Sequence, residues 1–368
     1  MSDDLEVVEE QLELTEDEQD ELIEAEAIAA TIRYTAQDFD VNGLVRRLKS
    51  DDIMVPSFGH LNERIKSAGF QRGFVWTRPQ MDRFVESLLL GYPIPGIFLV
   101  RQQDRTYLVL DGQQRLRTLA DFVDGIHDGK EFSLKNAAKS LQDLTYKKLS
   151  DEQRRQFDDT FIQATIVSPD GTEESLEAVY QIFERLNSGG TPLTSHEIRV
   201  ALFAGSFIDY LERLNSLPNW REIYGKRSPR LRDQELILRI IALYIDSDSY
   251  RRPQKVFLNR IALKYRERLP DPDVERLFTE CVRLLKKNGR QVVRLQGSQV
   301  TAAYTEALFV GLMRRLKSGK PVSESKLIDA LASLRQSDRL VAASSRSTAD
   351  EENVRLRLDI ATDELSRV

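Results

Sequence analysis

The chain has 368 residues, 41 % hydrophobic and 30 % charged, which at this length provides apolar material for about two domains. A single cysteine, Cys281, rules out an internal disulfide and a Cys-cluster zinc site, and three histidines (His60, His127, His196) with no HExxH pair argue against a histidine-rich metal centre. The net charge of −6 conceals an asymmetry: residues 1–26 hold thirteen acids and no Lys or Arg, leaving 46 acids against 53 bases in the rest. An acidic arm on a mildly basic body fits a solubilising tail, and it equally fits a nucleic-acid mimic that shields a basic surface. The acidic start has no apolar signal core and no window approaches 18 uncharged apolar residues, so the expectation is a soluble cytoplasmic protein without membrane contact.

In chain order, residues 1–35 read as a disordered tail. Phe70–Trp76 reads as a strand, and Thr77 with Gln80 forms a capping box opening a helix that runs to Leu90 and stops at Gly91. Gly96–Arg101 and Tyr107–Leu110 form a hairpin across the polar Gln102–Arg105 turn. A helix follows from Gln113 to Val123, closed by Gly125. Ser150 with Gln153 is a second capping box, Phe161–Val167 a further strand, and Glu173–Leu186 a helix with Leu176, Val179, Ile182, Phe183 and Leu186 on its apolar face. From a third capping box, Thr194 with Glu197, the pattern is helical throughout. The strong stretches are Asp233–Tyr244, Asp273–Lys287, Gln299–Leu316, Glu324–Arg335 and Asp350–Ser366. The fold class is therefore α+β: an acidic tail over 1–35, an α+β domain over 36–200 and an all-α helical domain over 201–368.

Three segments carry chemistry. In Tyr107–Arg115 an apolar strand ends at Asp111-Gly112 and a helix opens with Gln113-Gln114-Arg115. First-turn amides and the helix dipole make such a corner an anion site, with Gly112 permitting close backbone approach and Arg115 supplying a guanidinium fork. A plain Asp-Gly turn has the same residues. In Phe70–Trp76, Arg72 beside Gln71 lies between aromatics and calls for an anion, which is either a ligand phosphate or a structural carboxylate. Trp76 reads as a core residue, with base stacking the alternative. In Phe183–Leu193, Glu184 and Asn187 stand three apart with oxygen donors of the kind Mg²⁺ prefers, while Asn-Ser-Gly-Gly also reads as a helix C-cap and turn. Two basic loops, Lys226-Arg227…Arg230…Arg232 and Tyr250-Arg251-Arg252…Lys255, fit DNA phosphates or a solvated surface. Lys286, Lys287, Arg290 and Arg294 read as favourable helix C-terminal charge.

Read together, Gln71-Arg72…Trp76, Ser87-Leu88-Leu89…Gly91-Tyr92-Pro93-Ile94-Pro95, Asp111–Arg115 and Phe183–Leu193 resemble the N-terminal domain of GmrSD-type modification-dependent restriction endonucleases over roughly residues 40–205. The resemblance implies a ParB/sulfiredoxin-like domain that binds and hydrolyses an NTP with Mg²⁺ in a defence system against phage or modified DNA. Carried onto this chain, it implies phosphate contacts from Arg72 and Arg115, with Asp111, Gln113 and Gln114 lining the same pocket. Glu184 and Asn187 would face that pocket, Asn187 being the better metal ligand. Relatives add a His-Asn-His nuclease, but no histidine follows His196, so residues 200–368 cannot build one. Three readings follow: an NTP-hydrolysing switch, a Mg²⁺-dependent DNA nickase using the same pocket, or a non-catalytic nucleotide- or DNA-binding module that recruits a separate nuclease subunit. Self-association is compatible with each.

Overall fold

In the computed structural model the described residues are 32–55, 76–186, 193–295 and 297–368. The chain divides into two compact units, one built on residues 27–58 and 71–192 and the other containing 193–368. Phe70–Val75 of the expected first strand, Gln71 and Arg72 among them, lie outside the described residues, as does Asn187.

The first unit is a mixed sheet with helices. Its elements are β1 (Arg33–Asp40), α1 (Val41–Lys49), β2 (Ile53–Met54), α2 (Arg78–Leu89), β3 (Ile97–Arg101), β4 (Tyr107–Asp111), α3 (Gln113–Asp124), a small β5–β6 hairpin (Ile126–His127, Lys130–Glu131), α4 (Asp151–Asp158), β7 (Phe161–Ser168) and α5 (Glu173–Leu186). The strand order is β1-β7-β3-β4-β2. β1 and β7 are antiparallel, β7 and β3 parallel, β3 and β4 an antiparallel hairpin, and β4 and β2 parallel.

The α+β reading holds, and the hairpin and the capping boxes at Thr77 and Ser150 stand where the sequence puts them. One boundary moves. Arg33–Thr35, expected in the tail, belong to β1 and pair with Ile166–Ser168. Helix α1 was not foreseen, because Gly43 interrupts its short apolar pattern. The Asp40 carboxylate caps it by accepting from the Gly43 N–H at 2.7 Å.

Leu44, Met81, Val85, Leu88, Leu116, Leu119 and Phe122 from the helices meet Ile97, Leu99, Val109, Ile162 and Ala164 from the sheet in one core. Burial of each large side chain contributes about 1.5–3 kcal/mol. Trp76 joins this core, half-buried and edge-on to Phe84 with ring centroids 5.5 Å apart.

The second unit is all helical among its described residues. Its helices are α6 (Ser195–Leu202), α7 (Ser206–Asn215), α8 (Pro218–Tyr224), α9 (Arg232–Asp246), α10 (Gln254–Lys264), α11 (Pro272–Leu285), α12 (Ala302–Lys317), α13 (Glu324–Gln336), α14 (Asp338–Ala343) and α15 (Glu351–Leu365). α12 is buried along most of its length and packs on α9, α11 and α15. Gly311 makes the last contact possible, since a Cβ there would lie 2.8 Å from the Ala361 carbonyl oxygen. Glu306 on α12 is fully buried between Arg239 and Arg357, whose Nη2 donates at 2.8 Å. Cys281 is buried, and burial pushes its thiol pKa up, away from reactivity. Among the described residues no helix is long and apolar enough to cross a membrane.

Candidate functional site

Strand β4 delivers Asp111 to the edge of the core, and the chain then turns directly into α3. Gly112 makes the turn with φ +98° as the N-cap of α3. A Cβ at this position would lie 2.5 Å from Cγ2 of Ile97, so both conformation and space require glycine. The close approach that Gly112 allows is thus to strand β3. The first turn of α3 carries Gln113, Gln114 and Arg115, all half-buried, and its amides have no intrahelical acceptor.

Arg115 holds this corner together. One terminal nitrogen donates to the Pro95 and Gly96 carbonyl oxygens at 2.5 and 2.7 Å, and the other donates to Asp111 Oδ2 at 2.6 Å. The guanidinium ties the loop before β3 to the end of β4 and the start of α3, and its side chain is only 12 % exposed. Both terminal nitrogens thus bond within the chain. Asp111 is the more accessible partner at 42 % exposure. The Gln114 side-chain oxygen accepts the Trp76 N–H at 3.2 Å, which fixes the chain entering α2 against the same helix. Further along α3, burial raises the Asp121 pKa against the opposing pull of a 2.7 Å contact with His127.

Of the residues expected to share a pocket, the structure gathers Asp111, Gly112, Gln113, Gln114 and Arg115 at one corner. Glu184 lies half-buried in the last turn of α5, a helix that runs against β4. Among the described residues no three His, Cys, Asp or Glu side chains form a metal-binding group. Mg²⁺ asks for less, because with nucleotide it keeps several waters and takes one or two carboxylates. The accessible Asp111 carboxylate meets that requirement.

The basic loops fare unevenly. Lys226 is exposed, and Arg227 pairs with Glu212 at 2.6 Å. Arg230 is a correction: it is 2 % exposed and paired with buried Glu197 at 3.3 Å, so it cannot reach DNA phosphate. Arg251 donates to the Tyr250 carbonyl at 2.5 Å, and Arg252 pairs with Asp350 at 2.5 Å, both from exposed positions.

Asp82 on α2 escaped sequence reading. It is fully buried and accepts from Arg78 Nε (3.0 Å) and from the Lys135 N–H (3.0 Å), Asn136 N–H (2.9 Å) and Asn136 Nδ2 (2.8 Å). The available signal was an acid between Met81 and Phe84 on the apolar stripe of α2.

Residues 57–204 match the model of the family described as GmrSD restriction endonuclease, N-terminal domain. The match covers β3, β4, α3 and α5, and hence the whole Asp111–Arg115 corner. No curated protein and no solved structure was found to match the chain.

Proposed function

With residues 57–204 assigned to the N-terminal domain family of GmrSD restriction endonucleases, we propose that the chain is the nucleotide-handling component of a restriction-type defence system. Its substrate is an NTP bound with Mg²⁺ at the Asp111–Arg115 corner, and nucleotide state governs action on modified DNA. The observation that carries this reading is the preorganised corner itself. A left-handed Gly112 seated on Ile97 opens α3, and Arg115 locks the turn from beneath. Amides held this way at a helix N-terminus attract phosphate without reorganising.

In this scheme the first-turn amides of α3 receive phosphate oxygens, Asp111 faces the metal that accompanies the nucleotide, and Arg115 positions both. Bound Mg²⁺ would neutralise phosphate charge. Glu184 and, through the family pattern, Asn187 are the further candidates to face the same ion, with Gln71 and Arg72 the further candidates for phosphate. DNA cleavage falls to a separate nuclease subunit.

The test is phosphate release from each NTP with Mg²⁺, with and without modified phage DNA, for wild type and Asp111→Asn. Turnover lost in the variant supports the reading. Metal-dependent plasmid nicking in NTP-free buffer that vanishes in the variant would instead favour the nickase. Tight nucleotide binding without turnover would leave a non-catalytic module.

A further inference from the structure

A strongly basic stretch of the second unit surrounds α10, and only its first three cations, Arg251, Arg252 and Lys255, stand out in the sequence. Residues 250–268 contain seven Lys or Arg and one acid, Glu267. α10 itself has no acidic residue. Its inner face is apolar: Phe257, Leu258, Ile261 and Ala262 are each at most 3 % exposed. Two of the seven cations are turned inward. Lys255 is 2 % exposed, and Arg266 donates to the Ala204 carbonyl.

Arg260, Lys264 and the following Arg268 remain exposed. Arg260 and Lys264, four residues apart on α10, share one face, and Arg268 follows in the turn beyond the helix end. Arg268 Nε donates to the Lys264 carbonyl at 2.8 Å, which keeps the row continuous past the helix end. Tyr265 sits between the last two, 5.6 Å from the Lys264 ammonium and 5.4 Å from the Arg268 guanidinium.

These cations differ from others on the surface of the unit. Arg276, Arg283 and Lys287 each hold a carboxylate, Asp273, Glu280 and Glu324 respectively. In the row, Arg260 donates to Ser249 Oγ at 2.6 Å and pairs with Asp246 at 3.8 Å, whereas among the described residues neither Lys264 nor Arg268 has a carboxylate within 4 Å. Favourable charge at a helix C-terminus accounts for Lys264 and Arg268, but Arg260 lies a full turn upstream of that end. Three like charges close together, two of them with no carboxylate within 4 Å, repel one another, and an external polyanion relieves that repulsion.

We infer that the Arg260–Lys264–Arg268 row is a contact surface for the sugar-phosphate backbone of DNA. The inference rests on the DNA-directed reading above and adds the place where DNA is held. Arg260 and Lys264 stand about 6 Å apart along α10 at about 1.5 Å per residue, and Arg268 lies just beyond the helix end. One strand of duplex presents a phosphate about every 3.4 Å of axis, so a short length of backbone offers a phosphate to each cation. Such a surface positions DNA and reads neither sequence nor modification.

The test is fluorescence anisotropy of a labelled duplex titrated with full-length protein between 50 and 200 mM KCl. It compares wild type with the triple variant Arg260→Gln/Lys264→Gln/Arg268→Gln and with the control Arg276→Gln/Arg283→Gln, after melting curves show each folded. The triple variant is expected to bind at least about tenfold more weakly. Its plot of log K against log salt should be shallower by up to about 2.7, at about 0.9 per lost phosphate contact. The loss should be the same for modified and unmodified duplexes, and the control should match wild type. Should the triple variant fail to fold, Lys264→Glu at its exposed position must weaken binding in the same direction. Wild-type affinity and slope in the folded variants would overturn the inference while leaving the DNA-directed reading intact. Absence of any wild-type DNA binding at 50 mM KCl would remove both.

Discussion

Gly112 and Arg115 explain each other. The glycine permits a turn that places a helix N-terminus against β3, and the arginine fixes it through two carbonyls and one carboxylate. Gly112→Ala forces an L side chain into φ +98° and against Ile97, so we expect a loss of about 2 kcal/mol or more, read as a lower denaturant midpoint, together with lost nucleotide affinity. Arg115→Ala leaves Asp111 without its ion pair and the Pro95–Gly96 carbonyls without their donor. Charge-assisted bonds at a largely enclosed guanidinium contribute about 1.5–3 kcal/mol each before non-additivity. The variant should therefore melt at lower temperature as well as lose activity. Lost activity with unchanged melting would mean that Arg115 acts on substrate instead of bracing the turn. Sequence alone read the Asp-Gly-Gln-Gln-Arg string as a corner correctly. The bracing role of the arginine is not legible there, because the carbonyls it meets are supplied by a loop 19 and 20 residues away.

At the scale of elements, the sequence was most legible where period and caps agree. The hairpin β3–β4, helix α5 and the capping box of α6 all stand as read. What escaped depends on contacts distant in sequence. β1 gains its identity from pairing with β7, more than a hundred residues downstream, and no alternation of its own marks it, since Arg33–Asp38 are all exposed. Arg230 sits in a string of bases that reads as a surface loop, yet Glu197 on another helix draws it inside. The buried Asp82 is of the same kind: it docks residues 135–136 onto α2 from more than fifty residues away. Asp82→Ala strands Arg78 and three other donors, so a loss of about 3–5 kcal/mol is expected. Hydrogen exchange should show protection lost around Lys135 and Asn136. If their protection survives, the carboxylate is not what holds that segment.

Across the whole molecule, the second unit buries an uncommon amount of charge. His196 is fully buried; its Nδ1 lies 3.0 Å from Arg199 Nη1, and its Nε2 lies 3.0 Å from Gln234 Oε1. A guanidinium can only donate, so Nδ1 accepts and the ring proton resides on Nε2. Burial foremost, and then the Arg199 charge, hold the imidazole well below its ordinary 6.5. The sign follows. Below about pH 6.5 the unfolded chain takes up a proton that the folded chain refuses, so stability falls with acidification and is level above that pH. The loss is at most about 1.4 kcal/mol per pH unit. Urea midpoints should decline between pH 7 and 5.5 for wild type and much less for His196→Gln, whose amide can serve both neighbours. Parallel declines in the two proteins would place the sensitivity elsewhere.

The account turns on whether phosphate docks at the start of α3. Amide hydrogen exchange of the full chain, with and without saturating NTP and Mg²⁺, addresses this without any substitution. Slowed exchange over Gly112–Arg115 with NTP, absent with the matching nucleoside, is the predicted result. Unchanged exchange there under saturating NTP would contradict it.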